Sequence, residues 1–451
     1  MPDVARATAG GALAHVGLNR SERLYLALEG VAGAIGQIHV LRFREPHAEA
    51  DVRAGLRHVV RLFPRLRGLV EPTVFGHRLA VLPEGARVDA LFESAFRAVT
   101  VAEGAGDAAA LQSLLEALAN EPFDLARALP LRARLLTGGP LPVLVLSLHH
   151  VMCDGRGMLK LLDALMAHLN GEELAAQPLD DPGMRAAFLP TRGLWRQMAW
   201  QRRERAAGKQ SPALTLVKER GAFGPTGVRL HDVSVPLAAI KQAAAARACT
   251  VSELVIAVLG ASFAGRAEPR ARAVGSVRVS VDLRPYFPPE RRPTFGNYVA
   301  SFLVRVTRVD DLEAALAEVH ARMREVLGRF ERREMGVPLF LAELAPRLLG
   351  RRLLGWCVRA LKRRGRLAQV TVHCSNLGDA DLLNGHGAGA RADALAFFTP
   401  ALGPYVGSVG LGDRMYLGVT YPRAEIEEMV IDGALADFER GLRVLTAGLT
   451  E

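Results

Sequence analysis

Two adjacent histidines followed by an aspartate are the residues best suited to chemistry in this chain. The segment reads His149, His150, Val151, Met152, Cys153, Asp154, Gly155. Neighbouring side chains on a strand point to opposite faces, so the two imidazoles cannot ligate one metal ion. One ring can pack in the core while the other enters a cavity, where a neutral imidazole can take a proton from a hydroxyl or an amine. Asp154 either orients that ring or, alternatively, caps a helix beside two structural histidines.

The elements on either side place this segment at the end of a strand. Residues 141–148 form a continuous apolar run, which predicts a strand buried on both faces. Beyond the segment, apolar side chains recur at helical spacing at Met158, Leu161, Leu162, Leu165 and Leu169. We therefore expect a strand, a short turn that carries the histidines, and a helix.

The rest of the chain has the pattern of a mixed α/β protein. Residues 277–284 alternate strictly, with Val277, Val279, Val281 and Leu283 on one face and Arg278, Ser280, Asp282 and Arg284 on the other. This alternation predicts a strand with one apolar face and one polar or site-lining face. Further strands are predicted at 228–235, 298–309, 369–374 and 414–421, and a helix at 237–248.

The segment resembles the HHxxxDG signature of the condensation-domain and CoA-dependent acyltransferase superfamily, which includes wax ester synthases, alcohol acetyltransferases and polyketide-associated acyltransferases. Companion motifs of that family occur in the family's order between Ser21 and Gly378. They are Ser21-Glu22-Arg23-Leu24-Tyr25-Leu26, Phe63-Pro64-Arg65-Leu66-Arg67, Val281-Asp282-Leu283-Arg284-Pro285, Phe295-Gly296-Asn297-Tyr298-Val299 and Ser375-Asn376-Leu377-Gly378. The chain departs from the family at Ala300-Ser301, where condensation domains carry Asn-Thr, and at Ser252-Glu253, where wax ester synthases carry Asn-Asp.

The resemblance implies an α/β fold of two chloramphenicol-acetyltransferase-like lobes that form a pseudo-dimer with a tunnel between them. On this basis we place the N-terminal lobe at residues 1–185, a basic crossover at 186–225 and the C-terminal lobe at 226–451.

The resemblance also assigns roles to single residues. It makes His150 the catalytic base, Gly155 the site where the backbone passes close to the donor carbonyl, and Asp154 a structural residue. For Asp154 we predict an ion pair with Arg284. His149 is expected to support the site from the core, and Asn297, Ser375 and Asn376 to line or brace the tunnel. No metal and no cofactor is implied, because the acyl thioester is a substrate.

The predicted activity is that of a stand-alone acyltransferase in lipid or secondary metabolism. The donor would be acyl-CoA or an acyl carrier protein, and the acceptor a hydroxyl group. Two alternatives stay open: an amide-forming condensation enzyme with an amine acceptor, and a non-catalytic module that docks a carrier protein.

The positive charge of the chain is concentrated in two segments. The chain has 57 Lys and Arg against 47 Asp and Glu, a net charge of +10. Residues 185–209 hold seven basic residues and one acid, and residues 346–368 hold eight basic residues and no acid. All three tryptophans, Trp195, Trp200 and Trp356, lie in these segments. Because no recognition motif accompanies the charge, nucleic acid is not expected as a partner.

The second basic segment predicts an amphipathic helix. An apolar arc, formed by Leu349, Leu353, Trp356, Cys357, Ala360 and Leu361, lies opposite most of the arginines. A basic helix that carries Trp is typical of a surface that contacts anionic lipid. The alternatives are a solvated basic face whose other side packs in the core, and a docking site for an acidic carrier protein or for the 3′-phosphate of CoA.

The remaining features exclude other classes of protein. Cys153, Cys249, Cys357 and Cys374 are scattered and predict neither a zinc site nor a disulfide framework. The chain has no GxSxG, GxxxxGK[ST] or HExxH motif. The N-terminal residues lack the apolar run of a signal peptide, and no apolar run reaches the length of a membrane span. We expect a cytoplasmic protein, with peripheral contact to a membrane through the basic segments.

Overall fold

The computed structural model describes residues 13–29, 31–73, 76–100, 107–179, 183–217, 221–366 and 370–447. The strands are β1 (Ala14–Gly17), β2 (Gly36–Phe43), β3 (Gly68–Thr73), β4 (Gly76–Val81), β5 (Phe96–Thr100), β6 (Leu131–Thr137), β7 (Val143–His149), β8 (Thr226–Val233), β9 (Gly275–Asp282), β10 (Val299–Val306), β11 (Val372–Asp379), β12 (Ala392–Phe398), β13 (Tyr405–Leu411) and β14 (Arg414–Pro422). The helices are α1 (Arg20–Leu28), α2 (Glu49–Leu62), α3 (Ala86–Ala95), α4 (Asp107–Asn120), α5 (Gly155–Leu169), α6 (Leu194–Gln210), α7 (Leu237–Ala246), α8 (Val251–Gly265), α9 (Leu312–Glu331), α10 (Gly336–Arg363) and α11 (Glu428–Thr446).

The first lobe is built on a five-stranded sheet with the order β12-β2-β7-β6-β5. Strand β7 lies at its centre and pairs antiparallel with both β2 and β6. Its side chains from Leu144 to Leu148 are buried, which confirms the strand predicted at 141–148. A separate three-stranded sheet, β1-β4-β3, belongs to the same half of the chain.

The second lobe is built on a six-stranded sheet with the order β10-β9-β11-β13-β14-β8. Strand β9 confirms the alternating segment, although it ends at Asp282, and Arg284 begins a short 3₁₀ helix. The predicted strand at 369–374 begins later, at Val372, and residue 369 lies outside the described residues. Buried apolar side chains form one core around each large sheet, with Leu146 in the first core and Val277 in the second. The predicted α/β fold with two lobes is therefore confirmed.

One strand corrects the predicted partition of the chain. Strand β12 comes from the segment predicted as C-terminal lobe, yet it pairs antiparallel with β2 at the edge of the first sheet. Phe398 is fully buried there, opposite Ile38. An isolated apolar strand shows its sequence but not which sheet edge it will join, because pairing is decided by tertiary contacts. Residues 392–398 thus belong to the first lobe.

The segment predicted as a crossover contains α6, which starts from Gly193 and packs beside α10. Arg196 on α6 forms an ion pair with Glu334 at 3.2 Å. Trp200 is buried, with the guanidinium groups of Arg322 and Arg329 over its ring. Of the three tryptophans in the two basic segments, Trp200 thus belongs to the second core.

The predictions of no disulfide framework and no membrane span can be compared with the described part of the chain. No disulfide forms there, since Cys153, Cys249, Cys357 and Cys374 are all free. Among the described residues no single helix has both the length and the apolar composition of a membrane span. Helices α7 and α8 meet these two criteria only when they are taken together, and a bend of 97° separates them.

Candidate active site

His150 lies in the turn between the central strand β7 and helix α5. The turn is fixed at several points: the backbone N–H of His150 donates to the Ile35 carbonyl at 2.9 Å, and Gln37 Nε2 donates to the Cys153 carbonyl at 2.5 Å. Helix α5 then begins under its own cap, since Asp154 Oδ1 accepts the N–H of Gly157 at 3.0 Å. The turn is therefore held rigidly between two regular elements.

The His150 ring is almost completely enclosed, with 7 % of the residue exposed. It stacks on Tyr25 with ring centroids 4.0 Å apart. Nδ1 lies 3.1 Å from the Cys153 carbonyl, while Nε2 has no hydrogen-bond partner among the residues that the structure describes. A proton on Nδ1 can be donated to this carbonyl, and that tautomer leaves the Nε2 lone pair free.

The His150 ring is uncharged at neutral pH. Burial lowers its pKa to about 4, and this effect exceeds the opposite effect of the nearby Asp154 carboxylate. The phenol of Tyr25 is likewise neutral, because burial, together with Asp154, raises its pKa to about 12. A neutral imidazole with a free nitrogen is the form that can act as a general base.

Asn297 contacts His150 directly. Its amide Nδ2 lies 2.7 Å from the His150 carbonyl, to which it donates, and 2.8 Å from His150 Nδ1. The backbone carbonyl of Asn297 in turn accepts from Asn19 Nδ2 at 2.8 Å, just before α1. Asn297 belongs to the second lobe and His150 to the first, so the amide bridges the lobes at the ring.

The predicted pair of Asp154 and Arg284 is present. Asp154 Oδ2 accepts from Arg284 Nη1 at 2.9 Å and from the N–H of Tyr298 at 2.8 Å. Burial alone would lower the pKa of Arg284, but Asp154 and Asp282 together raise it above its ordinary value. The two oxygens of one carboxylate therefore make both the predicted ion pair and the helix cap that the sequence left open as an alternative.

Gly296 completes this network through its backbone. Its carbonyl accepts from Arg284 Nη2 at 2.9 Å and from the Asp154 N–H at 3.2 Å. Its φ of +141° is accessible to glycine and strained for other residues. A Cβ added there would lie 2.7 Å from the ring of Tyr298.

We expect Gly296→Ala to lower the free energy of unfolding by more than ~1 kcal/mol, because backbone strain and a steric clash act together. Chemical denaturation measures the loss. Gly412→Ala is the matched control, since Gly412 also has a positive φ, +59°, but no atom of the described residues lies within 4 Å of the added Cβ. Equal losses for the two variants would contradict the role given to the Tyr298 contact.

His149 lies on the core side of β7. It is fully buried, its Nδ1 accepts the N–H of Val151 at 3.1 Å, and its ring meets the Phe123 ring edge-on. Its Nε2 lies 3.6 Å from Glu29 Oε1. These contacts place His149 in the first core, away from the surroundings of His150.

Three other predicted site residues have neighbours that the sequence did not indicate. A Cβ on Gly155 would lie 2.5 Å from Leu377 Cδ2, so this glycine allows the second lobe to approach the start of α5. Asn376 Nδ2 donates to Ser252 Oγ at 2.9 Å and thereby ties the end of β11 to α8. Ser375 hydrogen-bonds the hydroxyl of Tyr405. The role of the Gly155 backbone toward a donor carbonyl stays a prediction.

Sequence reasoning missed part of the support around His150. Glu22 and Arg65 form a buried ion pair at 2.6 Å, and Arg65 also donates to the Val151 carbonyl at 3.3 Å. Both residues stand in motifs quoted above, so their position was visible although their contact was not. Gln37 lies within an ordinary strand pattern and gave no signal.

A cavity of about 380 Å³ lies between the lobes, next to Tyr25. Helix α1 contributes Leu24, Tyr25 and Leu28, and strands β9, β10 and β11 contribute Arg278, Ser280, Ser301 and His373. The polar face predicted for residues 277–284 thus lines a cavity at Arg278 and Ser280. A continuous tunnel through the molecule stays a prediction.

No cluster of three or more His, Cys, Asp or Glu side chains that could hold a metal ion occurs within the described ranges. The glycines Gly407 and Gly410 lie inside strand β13. They do not form a loop before a helix, which a nucleotide phosphate would require.

Comparisons with known proteins point to one fold. No protein-family model matches the chain, and none of the curated proteins matches it. Solved structures do match over nearly the full length. The first condensation domain of the calcium-dependent antibiotic synthetase, in complex with a substrate analogue, is 16% identical with a TM-score of 0.71, covering 97% of each chain.

Two further solved structures show the same likeness. The trichothecene 15-O-acetyltransferase from Fusarium sporotrichioides is 12% identical, with a TM-score of 0.71 over 99% of this chain and 100% of the other. A mutant starter condensation domain of rhizomide synthetase, in complex with C8-CoA and Leu-SNAC, is 15% identical, with a TM-score of 0.64 over 97% and 95%. The chain therefore has the two-lobed fold of the condensation-domain and acyltransferase superfamily.

Proposed function

We propose that the protein transfers an acyl group from a pantetheine thioester to an acceptor hydroxyl, with His150 as the general base. The observation that carries the proposal is the neutral His150 ring, whose Nε2 has no partner among the described residues and whose face stacks on Tyr25 at the wall of the interlobe cavity. The likeness in fold to an O-acetyltransferase and to a condensation domain solved with C8-CoA supports it.

The proposed reaction has one proton transfer in each direction. Nε2 removes the proton of the acceptor hydroxyl while the oxygen attacks the thioester carbonyl. The C–O bond forms, the C–S bond breaks, and the imidazolium returns its proton to the departing thiolate. The Nδ1–H contact to the Cys153 carbonyl orients the ring throughout, and Asn297 and the Asp154 network hold the turn in place. In this scheme no metal or cofactor takes part, and the Gly155 backbone N–H is the proposed donor to the oxyanion.

The acceptor and the donor class can be determined by a direct screen. Purified protein is incubated with acyl-CoAs, or with acyl groups on pantetheine or a carrier protein, together with a panel of alcohols and amines. Ester formation, read by mass spectrometry, is the expected result. Amide products alone would assign the protein to the peptide-forming class instead, and tight carrier binding without turnover would favour the docking module.

We also propose that the second half of α10 contacts a membrane surface. The helix bends at Gly350, and beyond the bend Gly355, Val358 and Lys362 face inward. Leu353 is 48 % exposed, Trp356 62 % and Leu361 39 %. The predicted apolar arc is therefore uncovered at these three positions, whereas Leu349, Cys357 and Ala360 of the same arc are half-buried.

Basic side chains surround this exposed arc. Arg352, Arg359, Arg363, Arg364 and Arg366 are all exposed, whereas the side chains of Arg347 and Arg351 lie outside the described set. Exposed Trp and Leu beside arginine suit the headgroup region of an anionic bilayer. Trp195 on α6 is also exposed, at 79 %. It is not needed for this proposal.

We expect the protein to co-sediment with phosphatidylglycerol vesicles at low salt and to bind phosphatidylcholine vesicles weakly, because arginines attract the anionic surface. Trp356→Ser should reduce binding. The matched control is Met429→Ser, which removes another exposed apolar side chain, 72 % exposed, from α11. Equal binding to both lipids, or to neither, would contradict the proposal.

A further inference from the structure

Arg278 is an arginine of the interlobe cavity for which the described residues provide no counter-ion. It lies on the polar face of β9 and lines the cavity. Among the described residues it forms no hydrogen bond and no ion pair. Burial lowers the pKa of its guanidinium, and no carboxylate offsets this effect. The positive charge of Arg278 therefore faces the cavity without a neutralising carboxylate among the described residues.

Arg278 is half-buried, and three more deeply buried arginines do have carboxylate partners. Arg65 pairs with Glu22 at 2.6 Å, and Arg284 pairs with Asp154 at 2.9 Å. Arg67 contacts Glu84. A buried charge without a partner destabilises a folded protein, so a purely structural arginine would be expected to have one. Arg278 is the exception, and it is the one of these four that lines the cavity.

The groups beside Arg278 are neutral hydrogen-bonding groups. His373 lies opposite it in the parallel pairing of β9 and β11, and its Nε2 is 3.0 Å from Ser280 Oγ. Burial, with Arg278 and His150, lowers the pKa of His373 to about 3, so this ring is uncharged at neutral pH. Ser301 lies opposite Ser280 on the same face.

Apart from Arg20, Ser21 and Thr399, the rest of the lining is largely apolar. Leu24 and Leu28 of α1 contribute, with Ala32, Ile35, Val358 and Val370. Such a cavity favours an apolar body with one anionic end over a hydrophilic polyanion, because most of the ligand surface would be desolvated.

We propose that this cavity binds a substrate with an apolar body and a carboxylate end, and that Arg278 is the cation that receives the carboxylate. That this ligand is a substrate rests on the acyl-transfer function proposed above, whereas the binding of a carboxylate in the cavity does not depend on that function. A planar guanidinium matches the two oxygens of a carboxylate, and the Ser280 and Ser301 hydroxyls lie on the same wall. Arg278 is thus a residue of substrate choice and has no part in proton transfer.

Calorimetric titration of the full chain with decanoate and with decanamide tests the carboxylate directly. The two probes share their apolar body and differ in charge. We expect decanoate to bind at least ~10-fold more tightly, and Arg278→Gln to abolish the preference. Arg127→Gln removes the same charge from a side chain that is 88 % exposed, and it should preserve the preference. Equal affinities in the wild type, no binding of decanoate, or a preference that survives Arg278→Gln would overturn the proposal.

Two further arms separate the carboxylate from a phosphate source. Decyl phosphate and CoA are titrated under the same conditions. Tighter binding of decyl phosphate than of decanoate, or loss of CoA binding in Arg278→Gln, would assign the cation to a phosphate and overturn the carboxylate. Since neither experiment measures turnover, their failure is distinguishable from failure of the acyl-transfer proposal.

Thermal stability provides an independent readout. Arg278→Met is expected to raise the Tm of the ligand-free protein, because it removes a half-buried charge that has no partner among the described residues. Arg65→Met is the contrasting variant and should lower Tm, because it removes the cation that pairs with the buried Glu22 carboxylate. A fall in Tm for Arg278→Met as large as that for Arg65→Met would show a structural role and contradict the inference.

Discussion

Replacing His150 by alanine is expected to lower kcat by ~10²–10⁴-fold with the donor and acceptor that the screen identifies, because the general base is lost. The measurement is product formation by mass spectrometry. In the wild type, kcat/KM should stay level as pH falls from 7 to 5 and should decline near pH 4, where the ring gains a proton. This decline should disappear from the residual activity of His150→Ala.

The matched control is His168→Gln. His168 lies near the end of the same helix, α5, where its ring stacks on His58. The control should keep wild-type turnover and the same pH profile. Full turnover by His150→Ala would show that the base lies elsewhere.

The same lowered pKa makes a prediction about acid stability. The folded protein holds His150 neutral, whereas the unfolded chain protonates it below its ordinary value of 6.5. The unfolded state thus binds more protons between pH 6.5 and pH 4, so stability falls as pH falls through that window. His150→Ala should remove this contribution from the pH dependence of the unfolding free energy.

Asp154→Ala is expected to lower the free energy of unfolding by ~3–5 kcal/mol, because it removes the carboxylate that interacts most strongly with the buried Arg284 guanidinium. The change also removes the cap of α5 and the acceptor of the Tyr298 N–H. Chemical denaturation measures the loss, and turnover should fall with it because the turn that carries His150 loosens.

Two variants separate the parts of this effect. Asp311→Ala removes the cap of α9, where Asp311 accepts the Ala314 N–H and lies 3.8 Å from Arg308 at the exposed surface. It should cost only ~0.5–2 kcal/mol, the range of a cap alone. Asp154→Asn keeps the cap and loses the charge, so it should fall between the two. A loss for Asp154→Ala no larger than for Asp311→Ala would contradict the buried ion pair as a main source of stability.

The sequence predicted the site better than it predicted the surfaces. The strand, turn and helix around His150 follow from local pattern, and the partner of Asp154, 130 positions away, followed from motif order. Periodicity shows that a helix has two faces but not which face a neighbour covers. For this reason the sequence shows neither that Trp200 is buried nor that Leu353 is exposed.

Contacts made by ordinary residues could not be predicted. Gln37 fits the ordinary residue pattern of a strand. Its side chain nevertheless donates a hydrogen bond to the Cys153 carbonyl, because β2 and β7 are neighbours in the sheet. The bridge from Asn297 to His150 depends on how the two lobes meet. The missing partner of Arg278 was equally hidden, since a sequence shows a charge but not what surrounds it.

Strand β12 has a consequence for how the protein is made. During translation β2 and β7 are complete once residue 149 has emerged, but the partner that covers the outer edge of β2 is synthesised roughly 240 residues later. At about 5–20 residues per second this interval lasts on the order of 10–50 s. For that time the nascent first lobe presents an apolar, unpaired strand edge, a surface that pairs readily with other chains. We therefore expect the half-made protein to need protection of this edge until β12 has emerged.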